Sequence, residues 1–349
     1  MNNDDIQLNW TSLTELKFLP VDLDRLLKRV NLHLDQSIEQ LLIATYQNKV
    51  VGCAGLSGST IRNVAVDPDY QGHQLAVKLV DECQYKACEL GQHHLFLYTK
   101  PSNQSLFEGC GFYKLVSSPD ALLMENTPVG IANFCKKLSQ SRRAGASQSS
   151  IVINANPFTL GHRYLIEQAC QQSDWLHLFV VSEDLSEFSY HQRLAMIKDG
   201  TRGIPNITLY PGGPYLISRA TFPSYFLKDQ QQVDNAYAAI DLLLFRNYIA
   251  PALGLTHRFI GTEPFCPITA AYNAQIHYWL GTENINEYPA LDIVEVQRQT
   301  DPDGMPISAS RVRHLLHKGQ LAKIKEIVPS STYTRLQHNV EPLMTVSTK

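Results

Sequence analysis

A short β-branched run, Ile151-Val152-Ile153, passes through an Asn-Pro turn into Thr159-Leu160-Gly161-His162 and then a helix expected over about Gly161 to Gln171. The next apolar strand follows at Leu176 to Ser182. Two strands joined through a helix are neighbours in a parallel sheet, because only a crossover of that length brings the second strand back in the same direction. The alternation continues with a helix at Tyr190 to Gly200, a strand at Ile207 to Tyr210, a helix at Val233 to Tyr248, and strands at His257 to Gly261 and Asp292 to Val296. This half of the chain therefore reads as α/β, a Rossmann-like doubly wound parallel sheet.

The 349 residues are enough for about two domains. The segment Lys136 to Ser150, KKLSQSRRAGASQSS, is polar and has no hydrophobic period, as an exposed connection has. The expected division is 1–135, a linker 136–150, and 151–349. Before the linker, a helix at Val21 to Leu34, strands at Leu41 to Tyr46, Val50 to Leu56 and Ile61 to Val66, a helix at Leu75 to Leu90 and a strand at His94 to Tyr98 make a mixed α/β unit. A net charge of −3 provides no basic field for a phosphate backbone, so nucleic acid is excluded as the main partner. No apolar run approaches the ~20 residues of a membrane span, and Met1 to Trp10 carries two aspartates and no apolar stretch. Seven cysteines, an odd number without a Cys-x-x-Cys pair, argue against a disulfide framework and a zinc knuckle. The expectation is a cytoplasmic chain with reduced thiols. His93 and His94 have no partners at metal-ligand spacing.

The strand-to-helix junction at Thr159 exposes free backbone N–H groups and the positive end of a helix dipole, a suitable place for a phosphate. Gly161 permits close backbone approach, Thr159 offers a hydroxyl, and His162 offers a second donor that can be cationic while phosphate is bound. An ordinary capping Thr with a surface His explains the same residues. A second segment, Ile307-Ser308-Ala309-Ser310-Arg311-Val312-Arg313, places two hydroxyls and two guanidiniums at a helix start. Capping explains a serine there, whereas Arg313, one turn beyond Ser310 on the same face, lets hydroxyl, N–H and guanidinium converge on one pyrophosphate.

Thr159-Leu160-Gly161-His162 and Ile307 to Arg313 together resemble the paired signatures of the nucleotidylyltransferase superfamily. That resemblance implies that Thr159 and His162 hold the phosphates of ATP and stabilise the transition state at the α-phosphorus. Ser308, Ser310 and Arg313 would then grip the departing pyrophosphate, with magnesium on the triphosphate. The wider stretch from Ile151 to about Leu336, including VVSEDLSEFSYHQRLAMIKDG, ISRATFPSYFLKD, RFIGTEPFCPITAAYN and VEVQR, resembles the citrate lyase ligase family. The implied activity is ATP-dependent acetylation, through acetyl-adenylate, of the thiol on the CoA-like prosthetic arm of the citrate lyase acyl carrier subunit. Acetate, ATP and that subunit are the implied partners, and AMP and diphosphate the other products. Asn156, Gly161, Arg193, Gly261 and Glu263 join the candidate nucleotide-binding residues; by resemblance the segment Gly261 to Pro264 borders the adenosine, and a tight turn explains the same residues. Met196 beside Arg193 is open to simple packing, Ser182-Glu183-Asp184 to plain solvation, and Lys228 to a surface role or a contact with phosphate or acetate.

In the first half, Val64 to Ala76 and Asn103 to Phe112 resemble the pyrophosphate turn and the following motif of GNAT acetyltransferases. Gln74 stands where glycine is usual, and Phe107 where a tyrosine general acid often stands, so acetyl transfer by this unit looks compromised. A degraded CoA cleft that docks the carrier arm and a purely structural unit both remain open. Two further readings fit the signatures: a small-molecule adenylyltransferase of cofactor biosynthesis, and an acetyl-CoA-dependent acetyltransferase with a nucleotide-sensing domain.

Overall fold

The computed structural model describes residues 5–13, 20–72, 74–182, 186–217, 222–264 and 266–344. The helices, in chain order, are α1 (Val21–Arg29), α2 (Leu75–Glu89), α3 (Gln104–Glu108), α4 (Gly130–Ser139), α5 (Leu160–Gln171), α6 (Tyr190–Gly200) and α7 (Gln230–Leu244). After these come α8 (Ala250–Leu253), α9 (Pro267–Ile276), α10 (Ala309–His317), α11 (Leu321–Ile324) and α12 (Ser330–Met344). Two compact units form, one from the chain up to Phe134 together with Phe222–Leu244, the other from Cys135 onward apart from that segment.

In the first unit, β1 (Gln7–Ser12), β2 (Gln40–Tyr46), β3 (Lys49–Ser57), β4 (Thr60–Val66), β5 (Phe96–Thr99), β6 (Tyr113–Ser117) and β7 (Leu122–Glu125) build one sheet in the order β1-β2-β3-β4-β5-β7-β6. Its pairs are antiparallel except β4 with β5, which run parallel over Thr60↔Phe96 and Ile61↔Leu97. Beyond that short ladder a cavity of about 720 Å³ lies between Val64–Val66 and Leu97–Lys100. The helix expected from Val21 to Leu34 stops at Arg29. The buried Asn63 donates to the His33 carbonyl (2.7 Å) and accepts the Asp35 N–H (2.9 Å), which pulls the following residues out of helical geometry.

In the second unit, β8 (Gln148–Ile153), β9 (Trp175–Val180), β10 (Ile207–Tyr210), β11 (His257–Gly261) and β12 (Asp292–Val296) are all parallel, in the order β10-β9-β8-β11-β12. The expected doubly wound sheet is present. Its core packs Ile151, Ile153, Leu176, Leu178 and Val180 against Phe158, Ile166, Met196 and Ile197, so Met196 is a packing residue.

Two features differ from the expected division. The segment read as a linker is structured at both ends: Lys136–Ser139 closes α4, and Gln148–Ser150 opens the central strand β8. Those three residues are polar but fully paired inside the sheet. Ser150 Oγ donates to the His257 carbonyl (3.1 Å), Ser149 meets Ser173 Oγ, and Gln148 Oε1 meets His177 Nε2 at 3.2 Å. A hydrogen-bonded polar strand end has the composition of a linker, and composition cannot separate the two. The second difference is that α7, expected to continue the second sheet's alternation, folds with the first unit. There Tyr225 Oη donates to the Tyr98 carbonyl (3.2 Å), the His33 N–H donates to the Tyr225 carbonyl (3.0 Å), and Gln232 Nε2 donates to Asp120 (2.7 Å).

Candidate active site

β8 lies at the centre of its sheet, with β9 and β10 following on one side and β11 and β12 on the other. Ligands of open α/β sheets sit beyond the carboxyl ends of the strands at such a reversal. A cavity of about 700 Å³ opens at this place, between the ends of β8, β11 and β12 and the start of α10. Asn156, Thr159, Gly161, His162, Gly261, Glu263, Ser308, Ser310 and Arg313 all line it. The fold thus gathers residues more than 150 positions apart into one concavity.

Beyond β8 the chain turns through Ala155, whose φ of +51° is left-handed, and reaches Thr159 at the N-cap of α5. Thr159 Oγ1 accepts the His162 N–H (3.3 Å), and His162 Nδ1 accepts the Thr159 N–H (3.1 Å). This is a capping box in which an imidazole replaces the usual glutamate or glutamine. A ring nitrogen that accepts carries no proton, so the neutral imidazole has its N–H on Nε2. Among the described residues Nε2 has no hydrogen-bond partner, and the ring lines the cavity. Burial, with the Arg298 charge nearby, pushes the His162 pKa down to about 4. At neutral pH the ring is therefore a neutral Nε2–H donor, and an anionic phosphate against it would draw the pKa up towards the cationic form.

The second signature meets the first at Gly161. A Cβ there would stand 3.0 Å from the Ile307 carbonyl oxygen and 3.6 Å from Thr159 Oγ1. The glycine thus admits the other motif's backbone. Ser308 caps α10 by accepting the Arg311 N–H (3.2 Å) while also facing the cavity. Of the two arginines, Arg311 turns to Asp301 (2.6 Å), and Arg313 reaches the cavity. Its guanidinium donates to the Asn156 carbonyl (2.5 Å) and to Ser310 Oγ (3.2 Å), with Glu187 at 3.7 Å. Asn156 holds this arrangement through its backbone, because its side-chain oxygen is taken by the Phe188 N–H (3.1 Å).

Several candidates stand elsewhere. Arg193 is fully buried and does not line the cavity. It donates to the carbonyls of Asn154 (2.8 Å), Val181 (2.9 Å) and Phe188 (3.2 Å), bracing the loop after β8 from behind. Lys228 lies in the segment that folds with the first unit. Glu183 and Asp184 lie outside the described residues, as does His73 in the turn before α2. The Glu263 carboxylate forms a two-pronged pair with Arg298 (2.6 and 3.2 Å) and accepts the Cys266 N–H (3.0 Å). Arg298 was not singled out from the sequence, although a cation two residues past a parallel strand is the signal that would have found it. Glu187, which also meets His317 at 3.3 Å, was missed because nothing local distinguishes it. In the first unit, Gln74 takes a left-handed φ of +56° at the N-cap of α2, and Phe107 is buried in the core while lining that unit's cavity.

Residues 148–336 match the family described as citrate lyase ligase C-terminal domain, and residues 37–114 match the acetyltransferase (GNAT) domain. The chain is 47% identical over 320 residues to citrate (pro-3S)-lyase ligase of Klebsiella pneumoniae, covering 91% of this chain and 93% of that protein. It is 46% identical over 312 residues to the citrate (pro-3S)-lyase ligase of Escherichia coli strain K12, covering 89% and 88%. Among solved structures, the ribosomal-protein-S18-alanine N-acetyltransferase from Escherichia coli aligns at 19% identity over 34% of this chain and 92% of that one, with a TM-score of 0.28.

Proposed function

The chain belongs to the citrate lyase ligase family, and from that premise we propose that the cavity of the second unit activates acetate with ATP. The acetyl group then passes to the thiol of the CoA-like arm on the citrate lyase acyl carrier subunit. The observation that carries this reading is the convergence of Thr159, His162, Ser310 and Arg313 on one cavity at the sheet's switch point. The chemistry matches: an acetate oxygen attacks the α-phosphorus, the bond to the bridging oxygen breaks, and pyrophosphate departs with the electron pair. Such a transfer needs in-line positioning and neutralisation of developing charge more than a covalent catalyst.

In this mechanism the His162 Nε2–H, its tautomer fixed by the cap, donates to a phosphoryl oxygen whose charge grows in the transition state. The N-terminal N–H groups of α5 act in the same direction. Arg313, held by Asn156 and Ser310, receives the leaving pyrophosphate with Ser308 beside it. The carrier thiolate then attacks the acetyl carbon and releases AMP. Among the described residues no cluster of three metal-ligating side chains occurs, and the carboxylate at the cavity wall, Glu263, is engaged by Arg298. Magnesium carried in on the triphosphate would offset phosphate charge in the cavity. Among the described residues no helix is long and apolar enough to cross a membrane. ATP–pyrophosphate exchange by the purified chain without carrier tests the reading. Exchange that requires acetate is expected; exchange indifferent to every short carboxylic acid, even with carrier added, would overturn it.

A further inference from the structure

Three arginines line the cavity, Arg258, Arg298 and Arg313. Arg258, on β11, is buried with its guanidinium over the Phe245 ring, and of the other two the signatures account only for Arg313. We infer that Arg298 is a further substrate-contacting residue, whose guanidinium, held in place by Glu263, takes the α-phosphate of the nucleotide on the His162 side of the cavity. This rests on the adenylylation reading and adds a named group to it.

The geometry carries the assignment. Arg298 follows β12, and its N–H donates to Thr262 Oγ1 (3.1 Å), which ties the end of β12 to the end of β11. Its side chain is 28% exposed and lines the cavity, whereas that of Glu263 is 5% exposed. The carboxylate thus stands behind and the guanidinium in front. Glu263 is fixed on its other side by the Cys266 N–H, so it is placed to aim Arg298 and has little freedom to reach a ligand itself. A fork through both terminal nitrogens leaves Nε–H and one N–H on each of those nitrogens. Among the described residues these have no other protein acceptor. They suit a phosphate, whose oxygens accept paired N–H donors at about twice the strength of a neutral hydrogen bond.

The position then selects which phosphate. Arg313 is bound to the Asn156 carbonyl and Ser310 on the α10 side. Arg298 is close enough to His162 for its charge to act on that imidazole, and His162 stands at the N-terminus of α5. Adenylylation develops charge in two places, on the oxygens of the attacked α-phosphorus and on the departing pyrophosphate. One cation at each is what a preorganised site requires. Glu263 is a positioning residue here, acting through Arg298.

AMP and pyrophosphate separate the two roles, since each carries one of the two groups. Calorimetry on the full chain should show Arg298→Met weakening AMP binding on the order of 10-fold or more, the size of losing a hydrogen bond to a charged group. Arg313→Met should leave AMP binding within about 3-fold and weaken pyrophosphate instead. Arg298→Lys, which keeps the charge without the fork, should recover part of the AMP affinity. Glu263→Gln should lower kcat of acetate-dependent exchange more than it raises the KM for ATP. Arg298→Met and Arg298→Lys chains that melt as the parent does and bind AMP equally well would overturn the inference, as would equal losses of AMP affinity in both methionine variants. If the Arg298→Met chain fails to fold, Arg298→Lys and Glu263→Gln decide by the same readings. A parent chain that neither binds AMP nor performs exchange would instead overturn the adenylylation reading.

Discussion

The seam between the two signature segments is the most exacting contact of the site, and Gly161→Ala tests it. The added Cβ would meet the Ile307 carbonyl oxygen at 3.0 Å, about 0.4 Å inside the 3.4 Å at which ordinary contact begins. Ile307 is itself held by its N–H to the Gln299 carbonyl (3.0 Å) and leads directly into the Ser308 cap. The strain is therefore relieved by moving the Ile307–Arg313 segment as a body, by a few tenths of an ångström. Stability should change little: alanine is favoured over glycine in a helix by up to about 1 kcal/mol, and that gain offsets the contact. Catalysis should change more. A misplacement of 1 Å can cost about 100-fold, so a shift of this size should lower the acetate-dependent exchange rate on the order of 10-fold. The assay is ATP–pyrophosphate exchange beside a thermal melt. A variant with the parent's melting temperature and exchange rate would show that the seam relaxes without disturbing the site. A variant that loses several degrees and most of its activity would show that the contact governs folding rather than alignment.

Other consequences follow from the same contacts. His162→Ala should slow exchange by about 100-fold or more, the scale of losing one preorganised donor, with the fold retained; near-full turnover would remove His162 from the mechanism. Buried His177, with its pKa pushed down to about 4 by burial and then by Arg143, should make stability depend on pH. The unfolded chain takes up that proton near pH 6.5 and the folded one does not, so stability is full above pH 6.5 and declines as pH falls towards 4, by about 3 kcal/mol for this group. Urea unfolding followed by tryptophan fluorescence at pH 7.5 and 5 measures the loss, and His177→Gln should remove most of its share; an unchanged pH slope would contradict the buried neutral imidazole. Phe107→Leu, in the core of the first unit, should cost on the order of 1 kcal/mol and leave exchange intact. A folded Phe107→Leu chain without exchange would contradict the assignment of adenylylation to the second unit alone.

Alternation of apolar segments with helices was enough to read the parallel sheet, because strand and helix periods are local properties of the chain. The pairing of Thr159-Leu160-Gly161-His162 with Ile307 to Arg313 was legible for a similar reason: each is a helix start, and capping chemistry depends on residues three or four apart. What local chemistry could not supply was anything that depends on a distant partner. Ser149, Ser150 and Gln148 have the composition of a linker and become a strand end only because His177, Ser173 and the His257 carbonyl receive their polar groups. Gly161 permits close backbone approach in the sequence, and the fold decides that the Ile307 carbonyl is one of the groups that approach it, while the glycine also lines the cavity. Arg193 and Arg298 are equally plausible phosphate ligands in a sequence. Packing buries one beneath the loop after β8 and turns the other into the cavity on a glutamate 35 residues away. The protonation of His162 belongs to the same class, since its tautomer follows from a local cap and its neutrality from burial and a remote guanidinium. The sequence by itself determined the elements and the two helix starts that can meet a phosphate. The tertiary structure decided which side chains meet there and in what charge state, because burial and long-range charge are properties of the folded chain.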